Sequence, residues 1–161
     1  MALRVRNGVS EANAKNLLNK MNSTAQLVRL GSHLQGQRGT LRATYDFAIQ
    51  GGAIGTVNLR DSDNQLATLP DKAIVLQVYI DEVTNVTSGG SATIAVGLNT
   101  TTDLLGATAI ASFTGIIAGV PTGTAATMVK ATAARTITAT IGTAAVTAGK
   151  LNVFIDYVIS E

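Results

Sequence analysis

From Arg135 to Glu161 the chain reads RTITATIGTAAVTAGKLNVFIDYVISE. Ile137, Ala139 and Ile141 alternate with threonines. After a loop of small residues, Leu151, Val153, Ile155, Tyr157 and Ile159 recur at every second position. A period of two puts each set on one face of a strand, whereas a helix would scatter them around its axis. The stretch therefore predicts a terminal hairpin.

The same period runs back to Thr40. In TLRATYDFAI, Leu41, Ala43, Tyr45, Phe47 and Ile49 share a face. Gly51 and Gly52 break the pattern, and AIGTVNL follows with Ile54 and Leu59 on opposite faces. DSDNQ reads as a turn. KAIVLQVYIDEVT reads as a long strand in which Ile74, Leu76, Val78 and Ile80 alternate against Val75 and Tyr79. Its two partly apolar faces place it mid-sheet. SGGS turns the chain into ATIAVGLN, and ATAIASF and ATMVKA are the next strand-like pieces. About eight short strands separated by Gly, Ser and Asn turns predict an all-β fold, a sandwich or a barrel, over residues 40–161.

Residues 1–39 read differently, as an arm. SEANAKNLLNKMNS predicts a short helix with Ser10 as N-cap, Glu11 at the positive end of the dipole and a narrow stripe of Leu17, Leu18 and Met21. The arm is basic. Residues 1–42 hold seven basic side chains (Arg4, Arg6, Lys15, Lys20, Arg29, Arg38 and Arg42) against Glu11, a net of +6; the rest hold five basic and nine acidic, a net of −4. Such asymmetry marks an arm seeking an acidic partner surface. With its apolar stripe it predicts a partner-binding set of Arg4, Arg6, Lys15, Leu17, Leu18, Lys20, Met21, Arg29 and Arg38.

Composition narrows the function classes. Charged residues are 14%, against about 25% in soluble domains generally. Thr, Ala, Gly, Ser and Asn fill the gap, which suits a neutral surface that packs against others. Cysteine is absent, which excludes disulfides and thiolate metal sites. MALRVRNGVS has no apolar run after its charges and predicts no targeting signal. The uncharged stretch from Leu104 to Val129 is rich in Gly, Thr and Ser and contains Pro121, so it predicts strands and loops rather than a membrane span.

No set of residues predicts catalysis. His33 is the sole histidine and lies in the polar arm. Asp61 and Asp63 begin like a calcium loop, but Leu66 and Lys72 stand where that loop needs Gly and Glu. Asp81 and Glu82 are adjacent on a strand and face opposite sides. Ala148-Gly149-Lys150 lacks the upstream Gly and the following Ser or Thr of a phosphate loop. The GGAIGT stretch at Gly51–Thr56 opens no helix. Asn22, Asn85 and Asn99 fit the glycosylation pattern, which has no consequence without secretion. The reading is a non-enzyme without metal or cofactor.

Taken together, ATYDFAIQGGAIGTVNL, TSGGSATIAVGLN and AARTITATIGTAAVTAGKLNVFIDYVIS resemble a group of small tailed-bacteriophage virion proteins, over residues 43–160. The resemblance implies a jelly-roll β-sandwich that decorates and cements an icosahedral head. It also implies the major capsid protein as partner, a homotrimer, a place on the capsid surface, and no catalytic residue or cofactor. Two other readings stand beside it. One is a head-fibre or tail component that binds a host glycan, for which a chain with no Trp and three Tyr is poorly equipped. The other is a nucleic-acid module using the basic arm, whose charges are not interleaved with stacking aromatics.

Overall fold

The alternation of β-branched and small residues is realised as strands wherever one face is buried. A computed structural model describes residues 38–160. The predicted helix and the arm residues Arg4, Arg6, Lys15, Leu17, Leu18, Lys20, Met21 and Arg29 lie outside the described residues. The strands are β1 (Arg38–Asp46), β2 (Gly55–Asn58), β3 (Thr68–Leu69), β4 (Ala73–Ser88), β5 (Thr93–Gly97), β6 (Leu105–Ala109), β7 (Ile116–Thr122), β8 (Val129–Lys130), β9 (Arg135–Thr136), β10 (Thr138–Gly142) and β11 (Val146–Ile159). One short helix, α1 (Phe47–Gln50), follows β1.

Two sheets form the layers. One runs β1-β11-β4-β7, with β8 also on β4; the other runs β2-β10-β5-β6; β3 and β9 make a separate two-stranded ladder. All pairings are antiparallel. Eight strands carry the architecture, because β3, β8 and β9 have two residues each. Counted in chain order, those eight form one sheet in the order first, eighth, third, sixth and the other in the order second, seventh, fourth, fifth. Only the β5-to-β6 step stays within a sheet; every other step crosses. This is a jelly-roll sandwich.

The core lies between the sheets. Ala43 and Tyr45 of β1, Val75, Val78 and Ile80 of β4, and Leu151, Val153 and Ile155 of β11 are buried from one side. Ile94 and Val96 of β5, Ala139 and Ile141 of β10, and Leu59 are buried from the other. Each large aliphatic contributes about 1.5–3 kcal/mol by leaving water.

Three expectations need correction. First, β10 and β11 do not form a hairpin. β10 pairs with β2 and β5, whereas β11 pairs with β1 and β4. The chain arches across the core instead, so that Ile141 and Val146 are buried between the layers. A tight turn makes the crossing: the Ala144 N–H donates to the Gly142 carbonyl at 2.8 Å around Thr143, whose φ is 68°.

Second, the first strand ends at Asp46, so Phe47 and Ile49 leave the shared face. The Asp46 side chain accepts from the Ala48 N–H and starts α1, and Ile49 is 56% exposed. Gly51 closes the turn at φ 73°. Gly52 lies so close to the Val146 carbonyl that any Cβ would overlap it. The paired glycines are therefore structural.

Third, the long strand β4 changes face midway. Ala73 and Val75 are buried, then Val78 and Ile80, while Ile74 and Leu76 are only partly covered. On β11, Asp156 pairs with Gln77 and Tyr157 with Val75, so Leu76 is the extra residue of a bulge. The strand lies mid-sheet as read, with β11 on one side and β7 and β8 on the other. The Leu104–Val129 stretch forms β6, β7 and two 3₁₀ turns. Among the described residues no helix is long and apolar enough to cross a membrane.

A left-handed three-residue turn centred on a β-branched residue is strained. Thr143→Gly should therefore raise stability, by about 1 kcal/mol after the entropy that glycine loses on folding. Urea denaturation of the two proteins measures it, and a loss of stability would show that Thr143 makes contacts worth more than its strain.

Candidate functional site

The residues singled out by pattern turn out to serve the backbone. The Asp61 Oδ1 accepts the N–H groups of Asp63 and Gln65, both at 2.9 Å, and Asn64 takes a φ of 60°. DSDNQ is thus a turn held by its own carboxylate. Gly149 sits at a register shift of β11 with φ 128° and lies against Val86, so the phosphate-loop look-alike is a bulge. Asp81 stands opposite Asn152 and Glu82 opposite Leu151, consecutive ladder positions that face opposite sides. The Asn99 amide donates to the Lys130 carbonyl at 2.8 Å. Arg38 and Gly39 are the first residues of β1, opposite Val158 and Tyr157. Among the described residues no group of three or more His, Asp or Glu side chains is placed to hold a metal.

Two other features come together on the outer face of the β1-β11-β4-β7 sheet. Ladder register sets them in rows. Arg42, Phe154, Tyr79 and Ala118 lie side by side, as do Thr44, Asn152, Asp81 and Ile116. The rows are polar toward β1 and apolar toward β7. The Tyr79 and Phe154 rings stack with centroids 5.3 Å apart and planes 19° from parallel. Beside them on β7, Ile116 is 73% and Val120 44% exposed. On the edge side of β7 the Val120 N–H is already used, donating to the Leu104 carbonyl at 2.9 Å. The result is an apolar strip open to solvent at the side of a neutral sheet.

The polar end of the face is a cleft of about 260 Å³. Beyond β1, Arg60 continues the row by pairing with Thr44, with N–H to carbonyl distances of 2.7 and 3.1 Å. Arg42, Arg60, Asn152 and Lys150 line the cleft, with Ile49 at its rim. Lys150 Nζ stands 3.1 Å from Asp46 Oδ2. The hydrogen bond from Lys150 holds the Asp46 carboxyl below the ordinary carboxylate value. Below the cleft Tyr45 is buried and its hydroxyl donates to the Gly51 carbonyl at 2.8 Å. Burial, and secondarily the Asp46 charge, pushes that hydroxyl above its ordinary pKa.

The sequence pattern did not single out this face. Tyr79 is visible as an apolar residue on the second face of its strand, but nothing in the pattern marks Phe154 or Arg42. Their adjacency depends on register between strands far apart in the chain.

A depressed carboxylate pKa stabilises the fold above the unfolded value, and that contribution is lost as pH falls through the folded value. Asp46→Asn keeps an oxygen for the Ala48 N–H but removes the pair with the partly exposed Lys150. It should cost no more than about 1 kcal/mol at neutral pH. The difference from the parent should vanish in acid, where Asp46 is protonated in both states. Urea melts across that range check it, and a constant difference would mean that the pair contributes nothing.

No protein-family model matches the sequence, and no curated protein matches it. Solved structures do share its fold. A chain in the acid-stable capsid structure of Helicobacter pylori bacteriophage KHP30 superimposes with a TM-score of 0.56 at 16% identity, covering 79% of this chain and 91% of that one. A chain of the cyanophage Pam1 capsid asymmetric unit gives 0.57 at 18%, covering 78% and 87%. A chain of the Ralstonia phage GP4 capsid gives 0.56 at 17%, covering 79% and 87%. At these identities the likeness establishes a common fold.

Proposed function

We propose that this chain is a structural virion protein that decorates a phage capsid and cements it by binding neighbouring major capsid subunits. The observation that carries the reading is the fold shared, across 78–79% of the chain, with chains found in three phage capsids. The surface supports it. Cementing requires area and shape, with no reactive group. The strip of Tyr79, Phe154, Ile116 and Val120 supplies apolar area on a stiff sheet, the kind of anchor that dominates protein interfaces. The proposed protein works as a homotrimer on the capsid surface, without enzymatic activity or cofactor. Its basic arm, the part of residues 1–39 that precedes β1, docks on another subunit through Leu17, Leu18 and Met21, and its charges speed association.

Ile116→Asp and Val120→Asp place charge on the strip at exposed positions. Each should leave the melting midpoint of the isolated protein nearly unchanged. Together they should weaken co-sedimentation with phage heads assembled without the protein by about thirty-fold or more, the loss of a hot spot of at least ~2 kcal/mol. Equal co-sedimentation would remove the strip from the contact. If the parent protein does not bind heads at all, the cementing reading fails. A chain lacking residues 1–37 tests the arm in the same assay; unchanged binding would show that the arm is not a clamp.

A further inference from the structure

The cleft at the β1 end of the outer face has an uneven hydrogen-bond balance. Its acceptor oxygens are largely engaged. Asp46 Oδ2 takes Lys150 and Oδ1 takes the Ala48 N–H. Asn152 Oδ1 accepts from the Thr44 hydroxyl at 2.9 Å, and Gln50 Oε1 from the Asp46 N–H at 2.8 Å. Asp61 turns its Oδ1 into its own loop, and it forms no ion pair with either arginine among the described residues.

The donors are in surplus. Arg60 uses Nη1 on the Asn64 carbonyl at 2.8 Å and keeps the rest of its fork. The Arg42 guanidinium and the Asn152 amide nitrogen have no hydrogen-bond acceptor among the described residues. Geometry brings these groups together. Thr44 lies between Arg60 on one side and Asn152 on the other, and Arg42 is two residues before Thr44 on the same face. Diagonal neighbours on a sheet face stand about 7–8 Å apart, within reach of two arginine side chains converging on one group.

We propose that this cleft receives a carboxylate, presented by an acidic side chain of another protein chain. Guanidinium forks match a planar carboxylate in two parallel hydrogen bonds, and an amide N–H can add another. Half-buried Thr44 and Gln50 make a floor that is already satisfied. Asp61 Oδ2 is the cleft's one carboxylate oxygen without a partner among the described residues, and Arg42, Arg60 and Lys150 still outnumber Asp46 and Asp61. The rim favours a side chain over a free ion. Ile49, which lines the cleft, is 56% exposed, and Leu66, opposite Arg60, is 47% exposed, giving the stem and backbone of an acidic residue an apolar edge to cover. The proposal rests on the virion reading for the source of that chain, and on the donor surplus for the chemistry.

The test uses the full chain, labelled with nitrogen-15, and follows the Arg42 and Arg60 Nε–H and Asn152 side-chain signals by NMR. The probe is a blocked Gly-Glu-Gly peptide; the comparisons are the Gly-Gln-Gly peptide, acetate and sulfate. Saturable shifts of those three side chains with the glutamyl peptide are expected, with at least tenfold weaker effects from the glutamine peptide and from acetate. In Arg42→Gln/Arg60→Gln the glutamyl peptide should bind at least tenfold more weakly while the backbone spectrum stays that of the folded protein. The glutamine peptide binding as well, or the double variant binding equally, would overturn the site. Acetate or sulfate binding as tightly as the peptide would reduce it to an adventitious ion only. If the double variant unfolds, Arg42→Lys/Arg60→Lys keeps the charge and removes the fork, and undiminished binding there overturns bidentate recognition. All these outcomes are independent of whether heads bind the Ile116 and Val120 strip.

Discussion

The fold hangs on one ladder. β4 and β11 are its longest strands and pair antiparallel from Val146 opposite Ser88 to Ile159 opposite Ala73. Their inner residues, Val75, Val78 and Ile80 against Leu151, Val153 and Ile155, form one wall of the core. β1 adds to the far side of β11, and β7 and β8 to the far side of β4. The second sheet meets this wall through Ile94, Val96, Ala139 and Ile141. Two irregularities keep the ladder consistent with a single core. The extra residue at Leu76 returns β4 to phase, and the irregular pairing around Gly149, where Val86 crowds the backbone, shifts the phase of β11 between buried Val146 and buried Leu151. Each is a local loss of pairing that preserves the burial of everything after it.

Periodicity reports which face of a strand is buried and carries no statement of what the strand pairs with. That distinction explains what the sequence made legible. Ala43, Tyr45, Ile137, Ile141, Leu151, Val153 and Ile155 were all readable as inward residues and are all buried. The hairpin between β10 and β11 was misread because two strands facing each other across a core show the same alternation as two strands side by side. A cue was present. The connection Gly142-Thr143-Ala144-Ala145 lacks the Asn-Gly or Asp-Gly pairing that suits a two-residue hairpin. Phe47 and Ile49 continued the alternation by coincidence into α1, although Asp46 before it and Gly51-Gly52 after it are a helix start and stop.

The outer face was less legible for a different reason. Tyr79 and Phe154, or Arg42 and Arg60, become neighbours through ladder register and a single bridge between distant segments. Taken alone, Arg42 is one more outward charge on a half-buried strand and Arg60 is a residue before a turn. The carboxylates, by contrast, attract notice in sequence and then prove to be occupied, Asp61 with its turn and Asp46 with a cap and Lys150. A donor surplus can be seen only after every acceptor has been assigned.

The two ends of that face divide the work of recognition under the proposed role. The described body is nearly neutral, with seven basic residues against eight acidic ones over 38–160. Copies set side by side on a symmetric shell would then repel one another little, and apolar area could act without a long-range electrostatic penalty. An apolar strip on a flat sheet is poor at defining register, because Ile116 and Val120 could be covered from several angles. A pair of arginine forks about a carboxylate fixes position and orientation but, at a wet rim, adds little affinity by itself. Placed at opposite ends of one rigid sheet, the strip supplies the holding and the cleft the alignment. Rigidity is what links them. The rows that carry Arg42 and Tyr79 are bonded through Phe154 in one ladder, so a partner that seats its acidic side chain has already set where the strip must lie.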